Sequence, residues 1–385
     1  MDNFTAHNTT KIHFGKGQIE QLTNEIPNDA KVLFAFGGGS IKSNGVYLQV
    51  KNALKDYQVC EFSGIEPNPH FETLMKAVNQ GREFGATYVL AVGGGSVIDG
   101  CKLIAAAIPF QGDEWEIVTS YGANITSAVP LGCVLTLPAT GSEMNNGGVI
   151  TRASTQDKLP FHNDLVRPRF SILDPETTYS LPKRQIANGV VDAYVHILEQ
   201  YATVPCQAKV QDRFAEGLLR TLIEEGPMAL EEPENYDVRA NIMWAATYAL
   251  NGTLGHGVVQ DWATHMIGHE LTGLYGLDHA QTLAIVQPAL WRYKKQDKLE
   301  KLAQYGARVF HLVDEDPQVK VDKAIDKTEK FFQLMGNKTR LADYGLGEEV
   351  IEEVVAKLVA HRHVQLGERG DIGPDAVREI LKLAL

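Results

Sequence analysis

Two short clusters of acidic and imidazole side chains carry the clearest chemical signal in this chain of 385 residues. The first is Asp192-x3-His196, and the second, about 70 residues further along, is His265-x3-His269 followed by His279. If both segments are helical, side chains four residues apart share one face, with about 5–6 Å between their Cβ atoms. One carboxylate and three imidazoles are suitable ligands for Zn²⁺ or Fe²⁺. The pattern predicts a divalent-metal site, although spacing alone does not decide whether His269 is one of the ligands.

The segment around the first cluster predicts where such a site would lie. Gln185–Tyr201 reads QIANGVVDAYVHILEQY and is apolar on almost every face if it is helical, which is typical of a buried helix. It contains no Lys or Arg to pair with a buried Asp192. A buried Asp–His pair can be purely structural, and two histidines four residues apart are often only surface side chains. The two clusters together favour a metal.

Charge and cysteine content limit the class of protein. The net charge of −12 argues against binding to nucleic acid or to an anionic membrane surface. The four cysteines are widely spaced and predict reduced thiols, as in the cytoplasm. We find no apolar stretch of about 20 residues and expect neither a membrane span nor a secretory signal. We therefore expect a cytoplasmic protein.

Short apolar runs alternate with amphipathic segments in the first half of the chain. The predicted strands are 31–36, 88–92, 131–137 and 170–173, and the predicted helices between them are 46–57 and 72–84. Such alternation is typical of βαβ units and a mostly parallel sheet. After Asp174-Pro175 only helical patterns follow. We predict an α/β dinucleotide-binding, Rossmann-like domain at 1–179 and an all-helical metal-binding domain at 180–385.

The tetrapeptide GGGS occurs twice, at Gly37–Ser40 and Gly93–Ser96, each time directly after a predicted buried strand. The second copy leads into a predicted helix. A strand, a glycine turn and a helix N-terminus together form an arrangement that binds phosphate through backbone N–H groups. A flexible linker or a purely structural turn would also suit one copy, but two copies upstream of a metal site favour a dinucleotide. Neither copy matches G-x-G-x-x-G, the usual Rossmann fingerprint.

The first glycine loop also indicates which dinucleotide is bound. An acid after this strand would hold the ribose hydroxyls of NAD and repel a 2′-phosphate. The loop reads GGGSIKS and instead offers the hydroxyl of Ser40 and the cation of Lys42. This favours NADP(H), and we expect Asp in place of Gly39 to move the preference towards NADH.

Several motifs together resemble the iron-containing alcohol dehydrogenase family, whose fold is shared with dehydroquinate synthase and glycerol dehydrogenase. They are GGGSVIDGCK, TLPATGSE, DAYVH and HMIGHELTGLYGLDHA, within a similarity that extends from residue 11 to residue 372. The chain is most similar to the NADPH-dependent aldehyde reductases of the butanol dehydrogenase subgroup. The resemblance implies a homodimer, one Fe²⁺ or Zn²⁺ ion, and an NADP-dependent reductase of small neutral aldehydes that also oxidises primary alcohols.

The resemblance also implies a role for individual residues. It places the metal on Asp192, His196, His265 and His279, and leaves His269 as a nearby group that is not a ligand. It places the cofactor on eleven positions of the first half, namely Gly38, Gly39, Ser40, Gly94, Gly95, Ser96, Asp99, Thr136, Thr140, Asn145 and Lys158. His269 is then either a catalytic residue that relays the proton, since imidazole exchanges protons near neutral pH, or a hydrogen-bonding neighbour of the ligands.

Other functions fit the sequence less well. A dehydroquinate synthase-like lyase, dependent on a metal and NAD, needs cations for an anionic substrate, but no Lys or Arg occurs at 185–208 or at 240–291. A protein that only binds metal would have no use for the paired glycine loops. A serine hydrolase is disfavoured because Ser142 lies in ATGSE and not in G-x-S-x-G.

Overall fold

The computed structural model describes all residues, 1–385. Eight strands lie in the first half of the chain: β1 Lys11–Phe14, β2 Lys31–Phe36, β3 Gln58–Ser63, β4 Tyr88–Gly94, β5 Leu131–Leu137, β6 Gly147–Arg152, β7 Asp157–His162 and β8 Phe170–Leu173. The α-helices are α1 Leu22–Glu25, α2 Ser40–Ser43, α3 Val46–Ala53, α4 Phe71–Phe84, α5 Gly95–Ala107, α6 Trp115–Thr119, α7 Lys183–Tyr201, α8 Lys209–Glu231, α9 Tyr236–Ala249, α10 Ala263–Tyr275, α11 His279–Tyr293, α12 Leu299–Val309, α13 Pro317–Leu334, α14 Glu349–Ala360 and α15 Pro374–Lys382.

The chain divides into two compact units. The α/β unit consists of His7–Leu181 and Pro233–Thr247, and the helical unit consists of Met1–Ala6, Pro182–Glu232 and Tyr248–Leu385. These units differ from the predicted domains 1–179 and 180–385 in the placing of residues 1–6, 180–181 and 233–247. The domain boundary itself stays a prediction. No helix of the chain combines the length and apolar character that crossing a membrane would need.

The α/β unit is built on a six-stranded parallel sheet with the order β1-β8-β5-β4-β2-β3. Successive side chains of β2 enter different cores: Val32 and Phe34 pack on one face, and Leu33 and Ala35 on the other. Burial on both faces explains why the central strands are continuous apolar runs. The predicted α/β class with a parallel sheet is confirmed.

Two strands of the sheet and one hairpin were not predicted. Strand β3 forms one edge of the sheet and is only partly buried, and β1 has four residues, so neither has a long apolar run. Strands β6 and β7 form a separate antiparallel pair. The predicted helix 46–57 is wrong at its end, because α3 stops at Ala53.

The helical unit contains no strand, as the sequence predicted. Helix α7 follows Pro182 and is buried on all sides from Gly189 to Tyr201, which confirms the expectation of a helix surrounded by protein. It packs against α8 and α11, and α10 packs against α11. The two segments that carry the imidazole clusters therefore lie on helices of one unit.

Candidate active site

Four predicted ligands come together in the helical unit. Asp192 and His196 lie one turn apart on α7, His265 lies in the first turn of α10, and His279 is the first residue of α11. The side chains of Asp192, His196 and His265 are buried, whereas the His279 side chain is 20% exposed. Three helices thus each bring ligand groups to one place.

The geometry of this cluster suits a single divalent ion. Oδ1 of Asp192 lies 3.6 Å from Nδ1 of His196, 4.0 Å from Nε2 of His265 and 3.7 Å from Nε2 of His279. One ligand atom from each residue lies within 4.8 Å of all the others. Three imidazole nitrogens and one carboxylate oxygen match the ligand preferences of Zn²⁺ and Fe²⁺. The residues present fit the metal, while their assignment as its ligands stays a prediction.

His269 lies beside these four residues but is not one of the converging group. It follows His265 by one turn of α10, is buried, and its ring centre lies 6.1 Å from that of His265 and 5.1 Å from that of His279. This position suits both roles considered above, so its catalytic role stays a prediction.

Glu199 is a site residue that the sequence analysis missed. Its carboxylate contacts Nδ1 of His265, accepts a hydrogen bond of 2.7 Å from the backbone N–H of Thr264, and is 2% exposed. Burial raises the pKa of Glu199, and the charge of Asp261 raises it further. A carboxylate on the far nitrogen of a ligand histidine fixes the ring and its tautomer. The spacing could have revealed it, since residues 192, 196 and 199 follow an i, i+4, i+7 pattern.

Trp262 forms part of the wall of the cluster. It precedes α10 with a φ of 64°, and its indole ring centre lies 5.2 Å from that of His265 and 6.2 Å from that of His196. The indole N–H donates to Oε1 of Gln260 at 2.7 Å. The ring therefore has a fixed orientation beside two of the imidazoles.

The two glycine loops leave the sheet from neighbouring strands of the α/β unit. Strands β2 and β4 are parallel and paired, with Phe36 opposite Val92, so Gly37–Ser40 and Gly93–Ser96 begin side by side. The strand order also reverses here, because β3 lies beyond β2 and β5 beyond β4. Ligands of open α/β sheets bind at the carboxyl ends of the strands at such a switch point.

The second loop has no space for side chains. A Cβ atom on Gly95 would lie 2.4 Å from Oγ1 of Thr140, and one on Gly94 would lie 2.9 Å from Cβ of Leu137. Helix α5 begins at Gly95, so its first N–H groups are presented by bare backbone, as phosphate binding requires. In the first loop, by contrast, a Cβ on Gly38 or Gly39 would meet no atom within 4 Å, but Gly39 has a φ of +103°.

The remaining predicted cofactor residues lie close to these loops in the α/β unit. Ser40 begins α2, Oγ of Ser96 accepts from the N–H of Asn68, and Thr136 is buried on β5. Asp99 lies on α5, and its carboxylate accepts from Oγ of Ser142 at 2.5 Å and from the N–H of Val149. The side-chain ammonium of Lys158 donates to Asn68. Cofactor contacts at all these positions stay predictions.

Lys102 was also missed from sequence. It is fully buried on α5, and its Nζ donates to Oδ1 of Asn145 at 2.8 Å and to the carbonyl of Gly147 at 2.6 Å. Burial lowers the pKa of Lys102 to about 8. The signal was a single cation within the apolar segment VIDGCKLIAAA. Lys102 fixes the predicted cofactor residue Asn145 against α5.

Two family models match the chain, one described as iron-containing alcohol dehydrogenase at residues 9–175, and one as the C-terminal part of the Fe-containing alcohol dehydrogenase family at residues 186–385. The chain therefore belongs to the iron-containing alcohol dehydrogenase family, as the sequence motifs predicted.

Among curated relatives, the NADPH-dependent aldehyde reductase YqhD of Escherichia coli is 58% identical, with all of both chains covered. The NADH-dependent butanol dehydrogenase A of Clostridium acetobutylicum is 38% identical, with 99% of each chain covered. Among solved structures, NADH-dependent butanol dehydrogenase A of Thermotoga maritima has a TM-score of 0.95 at 38% identity and covers 100% of this chain and 99% of its own.

Proposed function

We propose that this member of the iron-containing alcohol dehydrogenase family reduces small neutral aldehydes to primary alcohols with NADPH, and catalyses the reverse oxidation. The observation that carries the proposal is the convergence of Asp192, His196, His265 and His279 in the helical unit. The glycine loops at the switch point of the sheet support a dinucleotide. The E. coli relative, named as an NADPH-dependent aldehyde reductase, supports the reaction class.

When bound, the metal polarises a carbonyl group as a Lewis acid and the reduced nicotinamide supplies the hydride. The four converging residues would hold the ion, and Glu199 orients the His265 ring through Nδ1. The backbone N–H groups at the start of α5 would bind the pyrophosphate of the cofactor. His269 is placed to carry a proton or to hold a neighbouring group by a hydrogen bond.

A neutral substrate follows from the distribution of cations. Segments 185–208 and 240–291, which contain all four predicted ligands, have no Lys or Arg. Lys298 is buried in the same unit, but its Nζ already contacts Asp261 at 2.8 Å and Glu368 at 2.7 Å. It is therefore not available to neutralise an anionic substrate. No observation favours the lyase alternative.

The choice of NADPH rests on the first glycine loop. The relatives named above include both NADPH- and NADH-dependent enzymes, so family membership alone does not decide the cofactor. The loop has no acid, and Nζ of Lys42 lies 5.3 Å from the ring centres of both Phe36 and Tyr47. These aromatic contacts hold a cation beside the loop, where a 2′-phosphate is expected to bind.

The test is to follow NADPH oxidation with butyraldehyde, using protein stripped with a chelator and reloaded with Fe²⁺ or Zn²⁺. We expect turnover to return with metal and to be faster with NADPH than with NADH. No turnover with either cofactor at full metal content would contradict the reaction class, and equal rates would contradict the interpretation of the first loop. The homodimer and the cytoplasmic location are part of this proposal, and light scattering and cell fractionation test them.

A further inference from the structure

A second group of metal-ligating side chains lies in the helical unit, apart from the four residues described above. It consists of Glu270, His361 and His363, and one ligand atom of each lies within 4.8 Å of the other two. Glu270 is on α10, five residues after His265, and the two histidines follow the end of α14. Helix α10 packs against α14, which brings these residues together.

The local backbone explains why both histidines reach the same place. His361 directly follows α14, and its N–H donates to the carbonyl of Lys357. Arg362 has a φ of 62°, in the left-handed region that side chains rarely adopt, and it turns the chain back. The N–H of His363 then donates to the carbonyl of Leu358 at 2.8 Å. This turn allows two imidazoles two residues apart to approach one carboxylate.

Glu270 is the most buried member of the group, with 1% exposure. Its Oε1 contacts Nδ1 of His361 at 2.7 Å, while Oε2 is buried without a hydrogen-bond partner. A buried carboxylate oxygen without a hydrogen-bond partner destabilises the folded chain, and a bound cation would offset this cost.

We propose that Glu270, His361 and His363 form a second divalent-metal site. Two imidazoles and one carboxylate are the ligands of zinc sites that keep a coordination position for water, and imidazole favours Zn²⁺, Co²⁺, Ni²⁺ or Cu²⁺ over Mg²⁺ and Ca²⁺. Both histidines are half-buried, so an ion reaches the site from solvent. An ion bound there ties α10, which also carries His265, to the turn after α14, and it stabilises the folded chain.

The test uses the full chain, stripped with a chelator and titrated with Co²⁺ by equilibrium dialysis and visible absorption. We expect two ions per chain in the wild type, one in the His265→Ala variant, and none in a variant carrying both His265→Ala and Glu270→Gln. Glu270→Gln keeps the size and the hydrogen-bond acceptor of the side chain but removes the anionic ligand. His7→Ala, which removes an exposed imidazole, should leave two ions bound.

Thermal unfolding gives a second measurement that does not depend on catalysis. Zn²⁺ should raise the Tm of the His265→Ala variant and leave the Tm of the double variant unchanged. A His265→Ala variant that binds no ion, or a double variant that still binds one, would overturn the second site. One ion in both the wild type and His265→Ala would overturn the first site instead.

Discussion

The metal cluster of the helical unit and the glycine loops of the α/β unit are built on opposite principles. The cluster consists of four side chains on three helices, spread from residue 192 to residue 279. Each loop is a run of four residues in which three glycines leave the backbone bare and one serine follows. A side-chain site depends on the packing of distant helices, whereas a backbone site depends on local space. The two should therefore respond differently to substitution.

The largest expected effect is the loss of one ligand of the cluster. His265→Ala should abolish tight metal binding and lower turnover by ~10³-fold or more, because a metal supplies several kcal/mol of transition-state stabilisation. Metal analysis and NADPH oxidation measure the two effects, with His7→Ala as the control. The α/β unit should stay folded and bind NADPH normally. Full activity in this variant would contradict the ligand assignment.

The second prediction concerns space in the loops. Gly95→Ala puts a Cβ 2.4 Å from Oγ1 of Thr140, so the start of α5 must move and NADPH affinity should fall by about 100-fold. Gly217→Ala on α8 is the matched control, because no atom lies within 4 Å of the added carbon and the affinity should change little. Isothermal titration calorimetry measures both. Equal dissociation constants would show that the backbone of the second loop does not bind the cofactor.

The third prediction concerns Glu199, which acts on the cluster through His265. Glu199→Gln keeps the shape of the side chain but turns one of the two oxygens that face Nδ1 of His265 and the N–H of Thr264 into a donor, so metal affinity should fall by roughly 10–100-fold. Competition with a chelator measures the affinity. Glu224→Gln, at an exposed position on α8, is the control. An unchanged affinity would mean that Glu199 serves only to cap the backbone of α10.

The smallest effect concerns cofactor choice in the first loop. An acidic side chain in the first glycine loop should favour NADH by about tenfold, because it binds the ribose hydroxyls of NADH and repels the 2′-phosphate of NADPH. Gly38→Asp is the better design, since Gly39 has a φ of +103° and any side chain there is strained. The ratio of kcat/KM for NADPH and NADH is the measurement. If the ratio is the same in Gly38→Asp as in the wild type, the first glycine loop does not determine the cofactor preference.

The sequence predicted the parts of the molecule that repeat a pattern along the chain. The apolar runs of β2, β4, β5 and β8 and the continuous apolar surface of α7 identified the fold, and the two loops stood out by their glycines. The metal cluster was predictable because its residue types are unusual at buried positions. The positive φ of Gly39 was not predictable, because it depends on how the loop folds. Sequence alone therefore led to Asp in place of Gly39, a substitution that the structure shows to be strained.

Residues that act through tertiary contacts were missed for a related reason. Glu199 and Lys102 have ordinary residue types, and their roles arise from partners 66 and 43 residues away. The turn after α14 was missed because His361 and His363 approach Glu270 only through the packing of two helices. His361, which contacts Glu270, is 91 residues away from it in the chain. Local periodicity can mark a position, as the spacing of residues 192, 196 and 199 does, but it does not identify the distant partner.

The indole of Trp262 gives the chain an optical reporter of its own. Its ring centre lies 5.2 Å from that of His265, and its orientation is fixed by the bond to Gln260. Excited indole loses energy to a nearby ion with a partly filled d shell, whereas Zn²⁺ has a filled one. Loading with Fe²⁺ should therefore quench part of the intrinsic fluorescence, and loading with Zn²⁺ should largely preserve it, so emission alone would reveal which ion the cluster holds.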